Sequence, residues 1–192
     1  MKKILLIATG GTIASGYTEE GLSPKIGAGE LLGYVEEHRK FCYVDVVQPF
    51  SLDSTNIYAE HWLKLAALIE EAYSEYDGFV ISHGTDTMAF TAAALSYLVQ
   101  DSPKPIVITG SQKPIDLPVT DARTNLLDSL LFASQERAHG VNLVFGGNVI
   151  AGTRAKKERS KSYDAFSSIN YPDIAVIRDG RVFFYIDDKG RN

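Results

Sequence analysis

The chain has 192 residues, 45% of them hydrophobic and 22% charged, with a formal net charge of −5. That length suits one large domain or one domain with an appendage, and the apolar share lies far from the composition of chains that stay disordered. The negative charge argues against a surface built to hold nucleic acid or an anionic membrane, because both need basic residues, and it fits a small-molecule enzyme.

The chain opens on Met1-Lys2-Lys3 followed by Ile4-Leu5-Leu6-Ile7-Ala8. An apolar run of about five residues is too short for the core of a signal peptide, and it stops at Thr9-Gly10-Gly11, so it reads as a first strand. No stretch approaches the roughly 18 apolar residues of a membrane span, which makes the cytoplasm the expected location. Further short runs rich in Val and Ile predict strands at Tyr43–Val47, Gly78–Ser82, Pro105–Thr109 and Asn142–Phe145. Cys42, the single cysteine, stands at the head of the alternating stretch Phe41–Val47 and reads as a buried structural thiol.

Between the strands lie helical patterns. Trp62, Leu65, Ala66, Ile69 and Tyr73 recur at helical spacing in Ala59–Tyr76, and Ala122, Leu126, Leu127, Leu130 and Leu131 do so in Thr120–Ala138, with Thr120 as N-cap and Gly140 as stop. Met88–Val99 is apolar nearly all round and predicts a helix buried against the sheet. Alternating strands and helices predict an α/β fold of three layers, a mostly parallel twisted sheet with helices on both faces in the Rossmann or flavodoxin manner. No repeat or low-complexity tract interrupts it. From Val149 the chain turns basic and polar, and Ile174–Ile177 and Arg181–Ile186, joined across Asp179-Gly180, read as a C-terminal β-hairpin. Residues 1–186 are therefore expected to form one domain, and the polar stretch Asp187–Asn192 reads as the start of a linker.

Four strands are followed by small and hydroxylic residues: Thr9-Gly10-Gly11-Thr12, Ser82-His83-Gly84-Thr85-Asp86-Thr87, Thr109-Gly110-Ser111-Gln112 and Phe145-Gly146-Gly147-Asn148. In open parallel sheets ligands bind beyond the carboxyl ends of the strands, so these loops are expected to converge on one site. Gly10-Gly11 lets backbone approach a ligand and offers N–H groups suited to a phosphate or an oxyanion. The glycine spacings fit neither the phosphate-binding loop nor the dinucleotide fingerprint. His38, His61, His83 and His139 are scattered at spacings that suit no metal, so no metal and no cofactor is expected. His83 is expected to be a structural hydrogen-bonder beneath its loop. Thr12 and Asp86 each have a plainer reading as helix caps, and Ser54 as part of a turn. What remains is hydroxyls, one well-placed acid and a basic loop, Arg154–Lys161. This is the kit for acyl transfer through a threonine nucleophile activated by an amine or a carboxylate–amine pair.

The pair Ala8-Thr9-Gly10-Gly11-Thr12-Ile13-Ala14 and His83-Gly84-Thr85-Asp86-Thr87 resembles the two signatures of the bacterial L-asparaginase family, more its cytoplasmic type than its periplasmic one. Asp53-Ser54, Thr109-Gly110-Ser111, Asn125-Leu126-Leu127, Lys157 in its Arg-x-x-Lys setting, and Asp164-Ala165-Phe166 ahead of Ile169-Asn170-Tyr171-Pro172 add to the resemblance. It implies hydrolysis of L-asparagine to aspartate and ammonia, with Thr12 attacking the side-chain amide and leaving a β-aspartyl ester. Thr85, Asp86 and Lys157 would form the second catalytic cluster, Asp86 would also hold the substrate α-amino group, Ser54 would hold the α-carboxylate, and Asp53 and Ser111 would line the pocket. It implies a homodimer or homotetramer for the full-length protein.

The sequence departs from the pattern twice. The tyrosine the family carries in the loop after the first threonine is replaced by Leu22, with Tyr17 the nearest substitute. The family's smaller C-terminal domain, which in a neighbouring subunit completes the pocket, has no counterpart in these residues, so the domain alone is expected to be weakly active or inactive. Glutamine hydrolysis, as in the glutaminase subunit of a transfer-RNA amidotransferase, is the enzymatic alternative, and a non-catalytic asparagine- or aspartate-binding domain is the alternative of another class.

Overall fold

The computed structural model describes residues 1–18, 21–24 and 26–186, with backbone alone at 17, 18 and 21–24. In chain order the elements are β1 (Lys2–Ala8), β2 (Ser15–Thr18), β3 (Gly21–Pro24), α1 (Ala28–Gly33), β4 (Cys42–Val47), α2 (Ala59–Ala72), β5 (Gly78–Ser82) and α3 (Met88–Leu98). They continue with β6 (Pro105–Thr109), α4 (Ala122–Ala133), β7 (Gly140–Phe145), β8 (Asn148–Ala151), β9 (Ala155–Lys157), β10 (Phe166–Ser168), β11 (Ala175–Arg178) and β12 (Arg181–Phe184). The linker assigned to 187–192 lies outside the described residues.

Among the described residues eight strands form one sheet in the order β12-β11-β8-β7-β6-β5-β1-β4. The five strands from β4 to β7 are parallel, and β8, β11 and β12 extend the sheet antiparallel. Successive side chains of a strand point to opposite faces, and a sheet covered on both faces is apolar at every position. In β1, Ile4 and Leu6 join the core beneath α1 and α4, whereas Leu5 and Ile7 join the core beneath α2 and α3. The division repeats in β6, with Val107 on the first side and Ile106 and Ile108 on the second. The three-layer α/β reading therefore holds, and Cys42 is buried, its thiol pushed up to about 11 by desolvation.

The boundaries differ in informative places. The helix expected over Thr120–Ala138 is α4, Ala122–Ala133, and Gly140 opens β7 with φ 65° instead of ending a helix. Thr120 still accepts the Ala122 N–H through its hydroxyl at 3.0 Å. The C-terminal hairpin forms, with Asp179 and Gly180 at φ 51° and 68°, as a tight primed turn demands. It is no appendage, because β11 pairs with β8 and carries the sheet onward. Gly146-Gly147, read as a strand end opening on the site, instead turns the chain straight back from β7 into β8.

Candidate active site

The chain moves from β1 to β4 on one side and then across β1 to β5 and on to β6 and β7 on the other, so the strand order reverses between β1 and β5. A crevice opens at such a switch point, because the loops leaving the two strands diverge to opposite faces. The loops concerned are those beginning at Thr9 and at His83.

Backbone hydrogen bonds hold the first loop. Thr9 donates its N–H (3.1 Å) and hydroxyl (2.8 Å) to the Ser82 carbonyl, Leu52 N–H donates to Thr9 O at 2.9 Å, and Gly11 N–H donates to Leu52 O at 3.1 Å. The Gly11 N–H is thus engaged by Leu52, which corrects the expectation that it is offered to an oxyanion. Gly10 and Gly11 have φ of 104° and 79°, a region side chains disfavour. A Cβ on Gly10 would stand 2.6 Å from Leu52 N and O, and one on Gly11 would overlap the Gly84 backbone. The two glycines therefore allow the loops to touch, main chain to main chain, which brings Thr12 and Thr85, each one residue further on, to neighbouring positions. Thr12 opens a 3₁₀ turn over Thr12–Ala14, and no side-chain cap bond forms at that turn.

The second loop carries the charged cluster. Lys157, the last residue of β9, donates from Nζ to Thr85 Oγ1 at 2.8 Å and to Asp86 Oδ1 at 2.7 Å. Thr85 is 7% exposed, whereas the Asp86 side chain is 61% exposed. Asp86 is thus engaged with Lys157, and α3 has no side-chain cap bond. Ser54 lies directly against this loop: a Cβ on Gly84 would stand 2.6 Å from its Cβ and Oγ, and Thr87 Oγ1 donates to Ser54 O at 2.7 Å. Asp53 caps the 3₁₀ turn Ser54–Asn56 by accepting Thr55 N–H (2.8 Å) and Thr55 Oγ1 (2.7 Å), and these bonds hold its carboxyl below the usual carboxylate range. Thr12, Ser54, Thr85, Asp86 and Lys157 are thus gathered at the switch point. Ser111 differs, for it is fully buried and its hydroxyl donates to Lys113 O at 2.5 Å.

His83 is fully buried beneath the loop. Its Nδ1 lies 2.7 Å from Gly84 O and its Nε2 lies 2.8 Å from Thr91 Oγ1, which also accepts the Trp62 indole N–H at 2.9 Å. A carbonyl only accepts, so Nδ1 carries the proton, Nε2 is the acceptor and Thr91 donates to it. Desolvation pushes the His83 ring down to about 4, against the carbonyl bond, so the ring is neutral at pH 7 and both nitrogens are used. This is the structural role expected of it.

The sequence marked Asn125 only as part of the resemblance and gave no role to Asp121 or Gln112, yet these residues hold the loops in place. Asn125 Nδ2 donates to Gly110 O at 2.9 Å and its Oδ1 accepts Gly146 N–H at 3.0 Å, tying the ends of β6 and β7 together. Asp121 accepts the N–H groups of Gln112 (2.8 Å) and Lys113 (3.1 Å), and Gln112 Nε2 reaches Ser162 O at 3.0 Å, in the segment beyond Lys157. Buried polar residues at the start and on the inner face of α4, Asp121 and Asn125 among them, were the signal available. In the β2–β3 hairpin Tyr17 is the register partner of Leu22, so the substitute and the position it would replace lie opposite one another along the backbone.

Similarity to known proteins bears on this arrangement. A family profile described as "Asparaginase, N-terminal" matches residues 3–189. The L-asparaginase of Thermococcus kodakarensis is 41% identical over 181 residues, covering 94% of this chain and 55% of that protein, and its solved structure superposes with a TM-score of 0.91 at 39% identity, covering 99% of this chain and 58% of that one. The structure of a probable cytoplasmic L-asparaginase from Campylobacter jejuni gives a TM-score of 0.87 at 32% identity, covering 97% of this chain and 57% of that one. A glutamyl-tRNA(Gln) amidotransferase subunit of Methanosphaera stadtmanae is 37% identical over 190 residues, covering 94% of this chain and 43% of that protein. The chain thus spans about half the length of the relatives it matches. With both glycine-threonine loops in place and a match over nearly its whole length, the chain belongs to the asparaginase family.

Proposed function

We propose that this chain carries the nucleophile-bearing domain of an amidohydrolase that converts L-asparagine to L-aspartate and ammonia. The observation that carries the reading is the Lys157 amine, hydrogen-bonded at once to Thr85 and Asp86, in a loop whose Gly84 backbone lies against Gly11, the residue before Thr12. Thr12 Oγ1 attacks the side-chain amide carbon, the C–N bond breaks, and the nitrogen leaves as ammonia after taking a proton, leaving a β-aspartyl ester on Thr12. Water then attacks that ester, releasing aspartate and restoring the hydroxyl. A hydroxyl is a weak acid and needs a base within hydrogen-bond reach. The Thr85–Lys157–Asp86 chain provides a path for the proton taken from the attacking hydroxyl or water and returned to the leaving nitrogen. In this reading Asp86, whose side chain is 61% exposed, also takes the substrate ammonium, Ser54 takes the α-carboxylate, and Asp53 lines the same pocket. Ser111 supports the wall from beneath.

Kinship with an amidotransferase subunit supports a second reading, glutamine hydrolysis. The two substrates differ by one methylene, worth about 1–3 kcal/mol in a fitted pocket. We place the protein in the cytoplasm and, in its full-length form, in a homo-oligomer, following the family. Ammonia release from L-asparagine and from L-glutamine, with Thr12→Ala as control, tests the reading. Release that survives in the variant would remove Thr12 from the mechanism, and a covalent trap that fails to acylate Thr12 while asparagine still binds would favour a binding domain.

A further inference from the structure

On the face of the sheet that carries α1 and α4, a cavity of about 750 Å³ opens between the end of α1, the first turns of α4 and the β11–β12 turn. None of its lining residues belongs to the crevice described above. Its depth holds Asp128, which is 9% exposed and, among the described residues, takes part in no hydrogen bond or ion pair. Buried carboxylates are normally paired or well hydrogen-bonded, because taking the charge out of water is costly. Desolvation pushes the Asp128 carboxyl up to about 6 although Arg178 pulls it down, so at pH 7 it is mostly ionised.

The neighbouring cations are engaged elsewhere. Arg178 donates to Gly147 O (3.0 Å), Ile177 O (2.7 Å) and Asn148 Oδ1 (3.2 Å). Arg123 donates to Ile115 O (3.2 Å) and Leu117 O (3.3 Å) and lies over the Tyr34 ring. The exposed lining also carries two carboxylates, Glu37 and Asp179, so these four residues balance in charge and the uncompensated charge is the inner one. Val35, Leu127 and Ile177 supply apolar wall beside it.

We propose that this cavity binds an aliphatic primary ammonium group, with Asp128 as its counter-ion and the alkyl chain against Val35, Leu127 and Ile177. An ammonium offers the donors the carboxylate lacks, and a chain of a few methylenes matches the apolar wall, whereas an anion would meet Asp128 unshielded. The chemistry is shared by a free amine and by a lysine side chain of another polypeptide segment.

The test is calorimetric titration of the 192-residue chain at pH 7 with n-butylamine, with the neutral isostere 1-butanol, and with the peptide Gly-Lys-Gly capped at both ends. Saturable binding of the amine or the peptide, with none of the alcohol, is the expected result. Binding of the amine alone identifies a small-molecule site, and binding of the capped peptide identifies a site for a lysine side chain. Asp128→Asn, which keeps the shape and removes the charge, should weaken that binding about tenfold to a hundredfold, the loss expected for one charge-assisted hydrogen bond. The same substitution should raise the Tm of the ligand-free chain by about 2 °C or more, since it relieves an uncompensated buried charge. Equal binding of amine and alcohol, no binding of amine or peptide, undiminished binding in the variant, or a lowered Tm would each overturn the proposal. Turnover enters none of these readouts, so the outcome is independent of the amidohydrolase reading.

Discussion

The loops after β5 and after β6 are made of the same kinds of residue, small and hydroxylic with a buried polar partner, and yet they are used differently. After β5, Thr85 and Asp86 meet a side chain, the Lys157 amine, while the structural demand of the loop is met from below by His83, Thr91 and Trp62. After β6, the Ser111 hydroxyl is spent on Lys113 O, and Asp121 and Asn125 are spent on backbone. A hydroxyl at a strand end becomes available for chemistry only where other groups already satisfy the backbone around it.

The widest gap between the two loops is expected in turnover. Under the proposed mechanism, Thr12→Ala and Lys157→Ala in the full-length protein should each lower asparagine hydrolysis at least about a hundredfold in steady-state assays, since a positioned base contributes 10² or more and a covalent nucleophile more still. Near wild-type rates in either would break the division of roles.

Next in size comes the support beneath the β5 loop. Thr91→Val removes the donor to His83 Nε2 and the acceptor for Trp62 Nε1, leaving a buried ring nitrogen and a part-buried indole N–H unpaired, at a cost of about 2–4 kcal/mol. Thermal unfolding should show a loss that Thr91→Ser largely restores. Trp62 is the only tryptophan, so its fluorescence should shift in Thr91→Val and report the network directly.

Acid sharpens the comparison further. His83 is held at about 4 against 6.5 when unfolded, so the unfolded chain binds the extra proton, and stability falls as pH drops from 6.5 towards 4. The full loss is on the order of 3 kcal/mol for a shift of this size. Asp128, held at about 6 against 3.8, has the opposite sign, and stability falls as pH rises from 3.8 to 6. The two oppose each other between about pH 4 and 6. Denaturant titrations across that range should therefore steepen with pH in Asp128→Asn and reverse slope in His83→Gln, relative to the parent chain. Unchanged slopes would show that neither group carries its shift. The smallest effect belongs to Ser111→Ala, expected to cost about 1 kcal/mol of stability for one lost hydrogen bond and to leave turnover within about threefold.

Much of this was readable in advance, for reasons that differ by element. The buried strands Gly78–Ser82 and Pro105–Thr109 stand out because both faces are covered, which leaves an unbroken apolar run with sharp ends. The elements that escaped notice, α1 over six residues and β2, β3, β8, β9 and β10 over three or four, are too short to show a period. The helix α4 was read too long because apolar spacing continues to Ala138 although the hydrogen-bonded helix ends at Ala133. The motifs single out Thr12, Thr85, Asp86 and Lys157 as candidates, and the structure brings Lys157 onto Thr85 and Asp86 and buries His83 as a hydrogen-bonder.

By itself, then, the amino-acid order determined the layered α/β architecture and the residue types at the strand ends, because hydrophobic period and glycine placement are local properties of the chain. Only the tertiary structure decided which polar groups remain available. Lys157 stands 72 positions from Thr85, and Trp62 meets Thr91 across 29. Whether a hydroxyl or carboxylate is spent or left over depends on partners that distance in sequence does not reveal, and for Asp128 it depends on the lack of one among the described residues.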